Sequence, residues 1–173
     1  MITFAIATAF CVACTPNEPP MPSQPGPVLA LQNRNDDVPA RVFQLRELDT
    51  ATIKVAGKTF TAWVMDTDAK RSEGMMHLEL KHVKDNQCML FVFKTAEPRS
   101  FWMANCKFDL DILYLSAQKQ VIRATTMKAY DRTGVPSNGA AKYALEFKPG
   151  SIRKFGFKKG MTVTIPSDVQ SID

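Results

Sequence analysis

A chain of 173 residues has room for one domain and a tail, and its 45% apolar share excludes a wholly disordered protein. The net charge of +5, from 22 Lys and Arg against 17 Asp and Glu, is spread along the chain, with its densest basic stretch at Arg153-Lys154 and Lys158-Lys159. No nucleic-acid motif accompanies those charges, so they read as a solvated surface and no nucleic-acid partner is expected.

Residues 1–14 read as a leader. Ile2 to Ala13 is apolar and uncharged, too short for the ~20 residues a membrane span needs but the right length for the hydrophobic part of a signal peptide. It ends in Val12-Ala13-Cys14, which is similar to a lipoprotein cleavage site, so Cys14 is the expected lipidation position. Cys11 stands where that motif usually has leucine, and no Lys or Arg precedes the apolar run. Residues 15–39 read as a proline-rich tether: six of the eleven prolines fall between Thr15 and Pro27, a composition that favours extended chain over a core. The expectation is an exported protein at the cell envelope, attached to the membrane by its lipid.

Residues 40–173 read as a single β-rich domain. Thr52–Val55 and Thr59–Met65 alternate around Gly57-Lys58 and predict a hairpin. Asp66-Thr67-Asp68 is a helix start and Gly74 a stop. The apolar run Met89–Phe93 predicts a buried strand, with Pro98 in a loop and a new strand at Ser100–Met103. A second hairpin is predicted at Ile112–Leu115 and Val121–Met127. A loop follows at 128–141, then a strand at Tyr143–Phe147, a short helix from Gly150 to Phe155 and a last strand at Met161–Ile165. Seven to nine short strands predict a mostly β domain, an antiparallel sandwich or barrel-like fold with one or two short helices.

Several segments in this order carry a resemblance: Gly74-Met75-Met76, Met89-Leu90-Phe91-Val92-Phe93, Phe101-Trp102-Met103-Ala104-Asn105, Leu110-Asp111-Ile112, Pro136-Ser137-Asn138-Gly139, Lys142-Tyr143-Ala144-Leu145-Glu146, Pro149-Gly150 and Gly160-Met161-Thr162-Val163. Over about 51–166 the chain resembles the domain of unknown function 192 family, small and often exported bacterial and archaeal proteins. The resemblance implies a compact β-rich fold and no established reaction, substrate or cofactor. The chain departs from the pattern at His77-Leu78, Cys88, Ala104, Cys106 and Asp109, losing an arginine and a lysine that relatives usually carry.

If Met89–Phe93 and the strand after Ser100 pair antiparallel across a seven-residue loop, Cys88 and Cys106 stand opposite each other. In an oxidising compartment that register predicts a Cys88–Cys106 disulfide; two buried free thiols are the alternative. Phe101 and Met103 share one strand face, which turns Trp102 outward or into a groove, unless it covers a second core layer. An indole beside Asn105 and Asp111 supplies a stacking plane with hydrogen-bonding groups, and Arg99 and Ser137 are secondary candidates. Asp109 and Asp111 share a strand face, yet only His77 and His82 are at hand, so no metal or cofactor is expected. No Gly-x-Ser-x-Gly elbow, phosphate loop or dinucleotide fingerprint occurs. The reading is a non-catalytic module at the envelope that binds a small polar ligand or an envelope protein. The alternatives are a hydrolase or metal-assisted enzyme using Asp109, Asp111 and one histidine, or a purely structural envelope protein.

Overall fold

The architecture, taken from a computed structural model, is described for residues 37–173. The leader, Cys14 and the tether up to residue 36 lie outside the described residues. Six strands form one mixed sheet: β1 Thr50–Val55, β2 Lys58–Met65, β3 Gln87–Phe101, β4 Leu110–Leu115, β5 Val121–Met127 and β6 Val135–Phe147, in the order β1-β2-β3-β6-β4-β5. Two short helices, α1 Asp68–Glu73 and α2 Ser151–Phe155, complete the regular structure.

The first hairpin forms because Ala56 and Gly57 both adopt positive φ (51° and 70°), the two-residue turn whose twist matches its flanking strands. α1 begins at Thr67, whose side chain accepts from Lys70 N at 3.2 Å, and ends at Gly74. Gly74 has φ 46° and ψ −130°, and a Cβ there would lie 3.2 Å from the Phe91 ring, so only glycine fits without strain.

The expected antiparallel pattern holds for four strand pairs and fails for one, because β2 and β3 run parallel. Residues 66–86 carry α1 across between them, and a helix-bearing connection of that length is what parallel neighbours require. The predicted break at Pro98 and the new strand at Ser100 are also corrected. β3 is continuous, and it bends where residues 93–96 stand against the single residue Lys142. Beyond that bulge it pairs with Val135–Ala141, a stretch expected to be loop. The bend folds β3 back over its own first half, so Phe101 packs edge-on against Phe91 (4.9 Å), Phe93 (6.3 Å) and Tyr114 (5.5 Å). The two halves face each other as the sequence implies, but through aromatic rings and not through a hydrogen-bonded ladder.

Both faces of the central sheet are buried, which is why Met89–Phe93 of β3 and Ile112–Leu115 of β4 read as continuous apolar runs. One face carries Ile53, Phe60, Leu90, Leu113, Leu145 and Phe147 beneath Phe155 and Phe157 of the α2 region. The other carries Met65, Met89, Phe91, Ile112 and Tyr114 beneath the N-terminal segment, the turn after α1 and the folded-back part of β3. The predicted last strand is a strap held by single bridges. Lys54 and Thr164 exchange both backbone bonds (3.0 and 2.8 Å), while Val121 N donates to Met161 O (2.8 Å) and Val163 N to Lys119 O (2.9 Å). It therefore touches β1 at one edge and the start of β5 at the other, giving a barrel-like curl to a sheet that its ladders leave open.

Candidate functional site

Three loops lock together beside the folded-back end of β3. His77 N donates to Asn105 O at 2.9 Å, Met103 N to Asp131 O at 2.7 Å and Tyr130 N to Cys106 O at 3.2 Å. His77, Asn105 and Tyr130 all have positive φ (66°, 59° and 61°). Left-handed backbone is uncommon for a histidine or a tyrosine and persists where the surroundings over-determine it; such residues concentrate at binding surfaces. Trp102 and Tyr130 are 54% and 62% exposed, while most other aromatics are buried or half-buried, and Asn105, three residues after Trp102, is exposed as well. The Asn105 amide nitrogen makes a weak contact, 3.8 Å, with the Met76 sulfur.

The framework beneath was not singled out in the sequence. Buried Arg41 donates to Phe43 O (3.0 Å), Gly74 O (2.8 Å) and Met76 O (2.7 Å), and its remaining nitrogen stands 3.2 Å from Glu73 Oε2 without a well-aligned hydrogen bond. Glu73 in turn accepts from Val42 N (2.6 Å) and Phe43 N (3.0 Å). This ion pair clamps the N-terminal segment to the turn that presents His77. Burial pulls the Arg41 pKa below its usual value, and the nearby Glu73 carboxylate opposes that pull. Arg41 follows the tether with no spacing signal of its own, so nothing in the local sequence marks it.

Glu146 lies on the same face, in register with Met89 and Ile112. It is 4% exposed, its Oε2 has no partner, and burial lifts its carboxyl to about 8, so it is protonated at neutral pH. The visible sign was a charged residue inside the apolar run Tyr143–Phe147.

The sequence candidates separate into different roles. Trp102 and Asn105 are together on the exposed loop. Asp111 is not: at 1% exposure it accepts from Thr126 Oγ1 (2.6 Å) and from Ile152 N (2.8 Å), capping α2 on the opposite face of the sheet. Ser137 is buried, accepts from Arg99 N (2.9 Å) and donates to Gly139 O (2.6 Å). The Arg99 guanidinium stacks 4.1 Å from the Phe93 ring centre and donates to Thr95 O (2.9 Å). Arg99 and Ser137 thus knit the bulged ribbon, and Asp111 ties β4 to α2.

Asp109 is bound to Lys128 (2.8 Å) and Ala129 N (2.9 Å), and Lys128 holds its carboxyl below the usual range. The two aspartates therefore serve separate partners and do not form a carboxylate pair. His82 Nδ1 accepts from Glu79 N at 2.9 Å in a capping turn. Among the described residues no three His, Cys, Asp or Glu side chains come together as metal ligands.

The Cys88–Cys106 disulfide is also corrected. Both are free thiols. Cys88 belongs to the core on one face and Cys106 to the core on the other, so the sheet itself stands between them. The register that placed them opposite fails because β3 pairs with β6 and not with the segment after residue 100. Burial, with the Glu146 carboxyl adding to it, pushes the Cys106 thiol up to about 12, and Cys88 is raised further by burial alone. Neither is a thiolate nucleophile at neutral pH.

A mostly β domain built on a bulged mixed sheet, with its loops gathered beside an exposed indole, is the class that fold and site define. The model of the DUF192 family, described as an uncharacterized ACR, matches residues 51–165, and the chain belongs to that family. Among solved structures, a protein of unknown function from Novosphingobium aromaticivorans DSM 12444 is similar at 26% identity and a TM-score of 0.65, covering 72% of this chain and 91% of that one. A "putative transcription regulator" from Sinorhizobium meliloti 1021 shares the fold at 20% identity and a TM-score of 0.63, covering 68% of this chain and 95% of that one. Among curated proteins none matches the chain.

Proposed function

We propose that the domain is a non-catalytic binding module held at the cell envelope, with Trp102 as its stacking plane. The observation that carries the reading is the exposed Trp102 next to Asn105, set on loops whose left-handed residues are locked by backbone bonds. An indole carried on a locked backbone binds flat apolar faces at reduced ordering cost, and an amide on the same loop donates and accepts. Tyr130 offers a second aromatic group from the neighbouring loop. The ligand class is a small polar molecule with an apolar ring face, such as a glycan fragment; an envelope protein presenting such a group would use the same surface. The address rests on the apolar run Ile2–Ala13, on Val12-Ala13-Cys14 and on the prolines that follow. A lipid on Cys14 and a tether that keeps the domain off the bilayer would place it there.

Screening the wild type and Trp102→Ala against oligosaccharides and short peptides by thermal shift, with indole fluorescence as a second readout, tests the surface. Ligands that shift the wild type and leave the variant unmoved are expected. Identical hits for both proteins would remove Trp102 from the site. Membrane fractionation with and without Cys14→Ser tests the address: loss of the variant from the membrane fraction is expected, and equal partition would refute lipid anchoring at Cys14.

A further inference from the structure

A second site lies at the far end of β6, and nothing in the aromatic surface calls for it. The stretch 147–167 holds Lys148, Arg153, Lys154, Lys158 and Lys159 and no acid, a local charge equal to the +5 of the whole chain. α2 and its flanking turns fold part of that stretch around a cleft of about 370 Å³, lined by Asp85, Lys148, Gly150, Ser151, Arg153 and Lys154 among others. Asp85 reaches in from the turn before β3 and holds both lysines, Lys148 at 3.1 Å and Lys154 at 2.6 Å, which fixes the two ammonium groups at the cleft wall. Arg153 has no acidic partner among the described residues and remains free to meet a ligand. Ser151 is only 6% exposed, yet it lines the cleft, and its hydroxyl bonds to no other described residue.

From this arrangement we infer that the α2 cleft binds a phosphate-bearing small molecule. Three cations against one carboxylate leave a charge of +2 around the cleft. A phosphate monoester carries about −1.5 to −2 at neutral pH and offers three acceptor oxygens, so it matches that charge, whereas a carboxylate leaves half of it uncompensated. Arg153 supplies a planar fork for two of the oxygens, and Ser151 supplies a hydroxyl donor at the floor. The cleft is several times the size of a phosphate group, so it accommodates the organic part to which the phosphate is attached. A free phosphorylated metabolite and a lipid headgroup share this chemistry; a recessed, half-open cleft, as opposed to a flat basic patch, favours the free molecule.

The test titrates the full-length chain, in detergent micelles, with inorganic phosphate and with glycerol phosphate at constant ionic strength, following backbone amide resonances by NMR. Shifts confined to Asp85 and to residues 148–155 are expected. Arg153→Gln should weaken phosphate binding at least tenfold without moving the thermal midpoint, since that side chain is exposed and unpaired. Asp85→Asn should tighten it several-fold, because the competing carboxylate is gone; a merely structural Asp85 would not do so. Lys58→Gln, at the exposed start of β2, serves as an unaffected control. Equal shifts with chloride and phosphate, or undiminished phosphate binding by Arg153→Gln, would overturn the inference. Binding to phosphatidylglycerol vesicles with none to either free phosphate would overturn the small-molecule assignment.

Discussion

Replacing Glu146 with methionine should stabilise the domain, and by an amount that depends on pH. The carboxyl lies among Met89, Ile112 and the Tyr114 and Cys106 side chains with Oε2 unpaired, and its pKa rises from an ordinary 4.5 to about 8 on folding. The folded state therefore holds a proton that the unfolded chain releases. Below pH 4.5 both states are protonated and this stabilisation is fully present; between 4.5 and about 8 it declines by about 1.4 kcal/mol per pH unit as pH rises. At pH 7 the loss amounts to about 3 kcal/mol, and above pH 8 it levels off because both states are ionised. Methionine has similar length and no proton to bind, so Glu146→Met loses this dependence. Urea unfolding at pH 5, 6, 7 and 8 measures it. The gap between variant and wild type should grow from less than about 1 kcal/mol at pH 5 to about 3 kcal/mol at pH 7. A gap independent of pH would refute the claim that Glu146 is buried and protonated. Cys106 and Tyr114 stay neutral across this range and do not contribute to the slope.

Asp111→Ala should destabilise the domain by about 2–4 kcal/mol, since it removes charged acceptors from Thr126 and from the start of α2, and it should leave binding at Trp102 intact; urea midpoints and the ligand screen check both. Arg41→Met should cost about 3–5 kcal/mol by stranding Glu73 and the Gly74 and Met76 carbonyls, and it should alter indole fluorescence because the loops at Trp102 lean on that clamp. In a chain carrying Cys11→Ser and Cys14→Ser, both remaining thiols should resist a thiol reagent in the native state and react fully in denaturant without reductant; a shortfall in denaturant would mean that a disulfide exists after all.

Much of the scaffold was legible where the signal is local. The first hairpin, with its turn one residue earlier than Gly57-Lys58, the cap within Asp66-Thr67-Asp68, the Gly74 stop and the second hairpin each follow from residues close in sequence. Strand pairing was less legible, since it is decided by partners far along the chain. Pro98 reads as a strand breaker, yet it sits in a bulged ribbon where a missing N–H is tolerated. That one misreading produced both the false register and the false disulfide. The helix in 66–86 already implied a crossover, and hence a parallel β2–β3 pair. Alternation along a strand suggests an outward Trp102, yet the residue lies just past the end of β3, and Asn105 is exposed in a turn at positive φ that no alternation predicts. Asp111 could not be placed, because its partners Thr126 and Ile152 come from β5 and α2, brought together only by the tertiary fold.

The strap at 161–165 covers each outer strand at a place where the ladders leave it bare. With the strap lifted away, the main-chain groups of Lys54 and Val121 that it now satisfies would face whatever lies nearby. Copies with this segment displaced are accordingly the ones exposed to mispairing with one another, and its docking lessens that hazard at two places at once.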